Sequence, residues 1–152
     1  KTGALIVIAR DHDLSQYSET GIKIGAQITS QLLINIFEKN TPLHDGAVII
    51  ENDEVVSATC YLPLSDSLSI SKELGTRHRA GLGISEVTDS IVIIVSEETG
   101  SIAIARDGHL IRYADAAVLK SELVKAQSKI EMKTKKRFWK GRERNEKSNQ
   151  ED

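Results

Sequence analysis

Cysteine is almost missing from this chain. Cys60 is the only one in 152 residues, so no intramolecular disulfide framework and no cysteine-only zinc cluster can form, and the composition suits a reducing cytosol. Cys60 lies in an apolar stretch without an adjacent base, and it reads as a small strand residue rather than a nucleophile. Aromatic residues are also scarce, at 4%. The core must rest on Ile, Val, Leu and Ala, and a stacking surface for single-stranded nucleic acid is not expected. No apolar run reaches the length of a bilayer span. Neither G-x-x-x-x-G-K-[ST] nor a G-x-G-x-x-G loop after a first strand occurs, which removes P-loop and Rossmann readings. The histidines at positions 12, 44, 78 and 109 lack the helical pairing of a zinc enzyme.

What the chain does hold is 39% hydrophobic residues, enough for one globular domain with a sizeable core. It starts at Lys1 rather than Met, so a piece of something longer is expected. The net charge of −2 hides a segregation. Residues 133–144, "KTKKRFWKGRER", carry seven bases and one acid, a net +6 that leaves −8 for the remainder. An acidic body has no general attraction for nucleic acid, so an anionic ligand needs a local site.

Periodicity orders the elements. "ALIVIA" (residues 4–9) reads as a buried strand and "RDHDLSQYSETG" as a polar loop. From Ile28 apolar residues recur at helical spacing until Asn40 and Pro42 stop the helix. "GAVIIENDEVVSATCYL" predicts two strands turning at Asn52 and Asp53; Pro63 and a serine-rich stretch with at most a short helix follow. "RHRAGLGISEV" predicts a helix weakened by Gly81 and Gly83, with Thr76 as its N-cap. "SIVIIV" is a strand, "SIAIARDGHLIRYA" a hairpin about Asp107-Gly108, and a last helix runs from Asp115 towards Lys133. The expected fold class is α/β: a mixed central β-sheet flanked by helices in a single domain, residues 1–132, with a basic, flexible tail over 133–152.

Three loops carry candidate chemistry. "TPLHDGAV" sets His44, Asp45 and Gly46 before a strand, where Asp45-Gly46 reads either as a plain turn or as a carboxylate presented to a cleft. "GTRHRAG" combines Arg77 and Arg79 with a helix start, so guanidiniums and helix dipole both favour phosphate; a solvated helix start is the bland alternative. His78 reads equally as a packed core histidine or a ligand. "SEETG" offers Glu97 and Glu98, either solvated or part of a magnesium or manganese site with Asp45, completed by substrate phosphates if the loops meet.

"LHDGAVI", "GTRHRA" and "SEETG", in this order and at these separations, resemble the diadenylate cyclase domain family. The resemblance covers about Thr2 to Ile130. It implies condensation of two ATP molecules into cyclic di-AMP, with release of pyrophosphate. It puts Asp45 and Gly46 at the reacting sugar and metal. Gly75, Thr76, Arg77 and Arg79 then lie on the triphosphate, with His78 between the arginines in the catalytic motif. Ser96 and Glu97 lie beside the phosphates, and Tyr61 and Leu62 line the adenine pocket. Glu98, Asp45 and, less centrally, His44 are the implied ligands of manganese or magnesium, with cobalt as a further option. Gly81 stands where many relatives carry alanine, and is expected to loosen the helix start. The chain is similar to the catalytic part of the membrane-tethered type, which implies transmembrane helices before Lys1, a cytoplasmic position at the membrane and membrane-associated regulatory partners. A product with two equivalent phosphodiester links implies a two-fold pair of subunits, each holding one ATP. The rival readings are a catalytically silent nucleotide sensor, and an adaptor acting through the basic tail.

Overall fold

A computed structural model of the chain describes residues 1–67, 74–125 and 127. The chain divides into two compact units, Lys1–Asp115 and Ala116–Asp152. The first is built on a seven-stranded mixed sheet: β1 (Ala4–Ile8), β2 (Ile22–Gln27), β3 (Ala47–Glu51), β4 (Glu54–Cys60), β5 (Ile91–Val95), β6 (Ile102–Arg106) and β7 (His109–Ile111). The spatial order is β2-β4-β3-β1-β5-β6-β7. Only β1 and β3 pair in parallel; every other neighbour is antiparallel. Among the described residues of this unit three helices, α1 (Ser15–Ser18), α2 (Ser30–Ile36) and α3 (Thr76–Val87), accompany the sheet. In the second unit residues 116–125 are helical. The basic tail and the serine-rich stretch at 68–73 lie outside the described residues.

The continuous apolar runs at β1 and β3 follow from burial on both faces. Successive strand side chains point to opposite sides. Leu5, Val7, Ala47 and Ile49 thus join Leu82 and Ile84 of α3 in one core cluster, while Ala4, Val48 and Ile50 join Ile36 and Phe37 at the end of α2 in another. Ile49 is fully buried, and burying such a side chain stabilises by about 1.5–3 kcal/mol. Both hairpin turns sit where the sequence sets them. Asn52 and Asp53, then Asp107 and Gly108, adopt the paired positive φ values of a tight two-residue turn.

Two features differ from the sequence reading. The stretch at residues 22–27 is a strand, β2, and Ser15–Ser18 form a helical turn within the expected loop. In β2 the pairing with β4 shifts register between Lys23 and Ala26, with Gly25 at φ +61; this bulge breaks the alternation that marks a strand. The second difference concerns α3. Gly81 and Gly83 are packing residues. A Cβ at Gly83 would lie 2.1 Å from the Pro63 carbonyl oxygen, and one at Gly81 would lie 2.8 Å from Ile94 Cδ1. The missing methyls let α3 lie close on β5 and let the chain at Pro63–Ser65 cross it.

The two positions should respond differently to alanine. Gly83→Ala forces a methyl against backbone and should cost about 1–3 kcal/mol, seen as a lower thermal midpoint. Gly81→Ala meets the movable end of Ile94, and its helix-propensity gain of about 0.5–1 kcal/mol should offset most of the clash. A Gly83→Ala chain that melts at or above the parent would contradict the packing account.

Candidate active site

One end of the sheet gathers the candidate residues, and strand direction explains why. β3 runs parallel to β1, and β5 runs antiparallel with Val95 opposite Ala4. The loop entering β3 and the turn leaving β5 therefore emerge at the end where β1 begins. The first turn of α3 reaches the same place. Arg77 Nη1 donates to Glu97 Oε2 at 2.9 Å, and Arg77 Nη2 lies 4.0 Å from Asp45 Oδ1. One guanidinium thus ties the β3 loop to the β5 turn.

That reach depends on Gly3, which the sequence reading did not single out. A Cβ there would sit 2.8 Å from Arg77 Nη1 and 3.0 Å from Glu97 Cβ. Gly46 is equally constrained: its φ is +82, and a Cβ would come 2.8 Å from the Thr59 carbonyl carbon. Only glycine combines that backbone with that approach.

Two cavities meet at Arg77. One, about 700 Å³, is lined by Gly75, Thr76, Arg77 and His78, by Ser96, Glu97 and Glu98, and by Arg112 and Tyr113. The other, about 470 Å³, is lined by Asp45, Gly46, Tyr61, Leu62, Thr76 and Arg77, among others. Thr76 and Arg77 belong to both. Asp45 and the Tyr61 ring are largely exposed, and the Tyr61 amide is fixed by donating to Thr20 Oγ1 at 2.9 Å.

Not every expected residue points into this space. Gly75, not Thr76, is the N-cap of α3, with extended backbone and no side-chain cap bond; Thr76 is the first helical residue, so its hydroxyl does not close the helix end. Arg79 lines neither cavity. Its Nε and Nη2 donate to the Ser65 carbonyl at 3.3 and 3.2 Å, and the Ser65 amide donates back to the Arg79 carbonyl. His78 is buried, and burial foremost, with the Arg112 charge second, pushes its pKa below the ordinary histidine value. The shift favours the neutral ring. His44 is half-buried, and its Nδ1 lies 2.6 Å from the Thr41 carbonyl. A carbonyl only accepts, so Nδ1 is the donor and, in the neutral tautomer this contact selects, the lone pair is on Nε2.

Lys39 is a second residue missed in the sequence, where it reads as a helix end. Its Nζ lies 3.5 Å from Glu97 Oε1. Glu97 is held below the usual glutamate range, first by the hydrogen bond from Arg77, then by the Arg77 and Lys39 charges.

Residues 1–110 match the family described as DisA bacterial checkpoint controller nucleotide-binding. The chain is 53% identical over 145 residues to the cyclic di-AMP synthase CdaA of Bacillus subtilis, covering 93% of this chain and 53% of that protein. It is 57% identical over 143 residues to a diadenylate cyclase of Listeria monocytogenes, covering 93% and 52%. The chain thus spans about half the length of the curated relatives it matches. A crystal structure of a DacA double mutant from Staphylococcus aureus superposes with a TM-score of 0.81 at 50% identity, over 82% of this chain and 83% of that one.

The Arg77–Glu97 bridge has a pH signature. A depressed folded-state pKa means that the bridge's contribution is present above the unfolded value and is lost as pH falls through the folded one. In Arg77→Ala, the Glu97 carboxyl should titrate at higher pH than in the parent, measured by NMR. An unmoved Glu97 titration would show that the bridge does not persist in solution.

Proposed function

Because the chain belongs to the DisA bacterial checkpoint controller nucleotide-binding family, we propose that it is a diadenylate cyclase, condensing two ATP molecules into cyclic di-AMP and two pyrophosphates. The observation that carries this reading is the placement of Arg77 between two cavities of different chemistry. The cavity with Tyr61 and Leu62 suits adenosine: an exposed aromatic face and a half-buried leucine beside Asp45. The larger cavity suits the triphosphate, with Gly75, Thr76 and Arg77 at the helix start and Ser96 opposite. ATP laid across both brings its α-phosphate to Arg77, next to Asp45.

The reaction joins a ribose 3′-oxygen to an α-phosphorus as the bond from that phosphorus to the pyrophosphate oxygen breaks and the hydroxyl proton leaves; it occurs twice per product. Asp45 is the carboxylate placed to take or orient that proton. Arg77 balances charge developing on the phosphate oxygens; its bond to Glu97 orients the guanidinium, and its buried Nε has no hydrogen-bond partner among the described residues. Positioning supplies most of such catalysis, so no covalent nucleophile is required.

Manganese or magnesium fits the available donors. Asp45 and Glu98 are exposed carboxylates, and His44 presents Nε2. No group of three or more His, Cys, Asp or Glu ligands is assembled among the described residues, so substrate phosphates would complete the shell. Such an ion, when bound, would supply positive charge to the phosphates.

In this reading each chain holds one ATP, and two chains face each other with Asp45 of one copy near the nucleotide of the other. The domain works at the cytoplasmic side of a membrane beside membrane-associated regulators. No helix among the described residues is long and apolar enough to cross a membrane.

Incubation with ATP and manganese should yield cyclic di-AMP and pyrophosphate, identified by mass spectrometry; ATP binding without pyrophosphate release would support a silent sensor instead. Arg77→Ala should weaken ATP binding by about 1.5–3 kcal/mol. Asp45→Asn should keep ATP binding and lose turnover by roughly 10²–10⁴-fold; near-parental turnover would make Asp45 a turn residue only. Activity per chain should rise with protein concentration and then level off, and excess Asp45→Asn chain should suppress the parent. Constant activity per chain on deep dilution, with a monomeric mass, would defeat the paired mechanism.

A further inference from the structure

We propose that Arg112 is a further substrate-binding residue, gripping the polyphosphate beyond the α-phosphate, and that Tyr113 is the shelf that positions its guanidinium. The inference rests on the ATP site proposed above. Arg112 and Tyr113 line the larger cavity, which they share with Arg77, Ser96, Glu97 and Glu98. They come from the segment after β7, and neither belongs to the three sequence motifs.

Charge identifies the residue. A polyphosphate entering this cavity meets two carboxylates, Glu97 and Glu98, and needs cations to balance them. Arg77 is already engaged by Glu97 and faces Asp45, and Lys39 is also engaged by Glu97. Arg112 has no carboxylate within ion-pair distance among the described residues. Its contacts are with Tyr113. Arg112 Nη2 donates to the Tyr113 hydroxyl at 3.3 Å, and its guanidinium carbon lies 5.2 Å from the ring centroid, in cation–π range. The Arg112 charge also reaches His78 inside the cavity wall, where it helps keep that ring neutral.

The backbone holds the pair in place. Tyr113 adopts φ +57, an unfavourable conformation for a tyrosine, and the next residue is tied down by the Ala114 amide donating to the Ile102 carbonyl at 2.8 Å. Yet the Tyr113 ring is 73% exposed, so burial of the ring does not account for the strain. A ring held open at a cavity mouth, carrying an arginine with no acidic partner among the described residues, is the arrangement that a polyanion would complete.

The test compares ATP, AMP and inorganic tripolyphosphate by calorimetric titration of the parent, Arg112→Ala, Arg112→Lys and Tyr113→Ala. Arg112 is exposed, so its variants should fold as the parent does, which circular dichroism checks. In Arg112→Ala, affinity for ATP and tripolyphosphate should fall about tenfold or more, with AMP unaffected and Arg112→Lys intermediate. Tyr113→Ala should weaken ATP binding in the parent and add nothing in the Arg112→Ala background. Arg112→Ala with parental ATP affinity, or with AMP weakened as much as ATP, overturns the proposal. The two readings fail separately. Tripolyphosphate binding that depends on Arg112, in a parent that makes no cyclic product, defeats the cyclase reading and leaves this site standing; a productive cyclase indifferent to Arg112→Ala does the reverse.

Discussion

The guanidinium of Arg77 is the constraint on which the site depends. It bonds Glu97 on the turn after β5, faces Asp45 before β3, and passes over the start of β1 through the space left at Gly3. Remove its charge, and Glu97 and Asp45 become acids at the mouths of two cavities with no common cation between them. Keep the charge but add a methyl at residue 3, and the guanidinium must move. The residue proposed for phosphate chemistry is therefore also the one that sets the spacing of the two loops around it. A planar, always-charged fork can do both because its donors point in different directions at once. A lysine at the same position would hold one partner or the other.

How far the sequence reveals this depends on how local each signal is. β1, β3 and β5 are legible because burial on both faces makes them continuous apolar runs, and β4 because the Asn52-Asp53 turn before it, like the one at Asp107-Gly108, has its own chemistry. β2 is hidden because a bulge at Gly25 breaks its alternation and most of its side chains are exposed. The three motifs converge at one end of the sheet, but their spacing says nothing of side-chain direction. Arg77 and Arg79 look equivalent in "GTRHRAG", yet two residues on a helix lie about 200° apart around its axis. That rotation sends one into the cavities and the other onto the Ser65 carbonyl. Gly3 and Lys39 matter through partners far away in the chain, Arg112, with Tyr113, lines a cavity whose other walls come from residues 74–103, and no short pattern marks them.

The glycines of α3 show the same limit from the side of packing. In sequence they read as weak points, because glycine costs helix stability. In the fold they are what lets the helix sit against Ile94 and pass under Pro63, so the local loss is the condition for a tertiary gain. Arg79 reinforces that crossing by clasping Ser65. A residue of the arginine motif is thus used in part to hold the helix that presents the other arginine.

The position of β1 has a consequence for how the molecule comes together in time. Strands β2, β3 and β4 form one neighbourhood within residues 22–60, and β5, β6 and β7 another within 91–111. β1 alone joins them, pairing with β3 on one side and with β5 on the other. The earliest of these seven strands in the sequence is then the last able to find both its neighbours, since closing such long loops must precede the contacts that reward it. Asp45 and Tyr61 come from one neighbourhood, Glu97 and Arg112 from the other. A half-made sheet has half of the proposed binding site, so nucleotide affinity should appear only at the final joining step, an order that pulse-labelled hydrogen exchange followed with and without ATP can read.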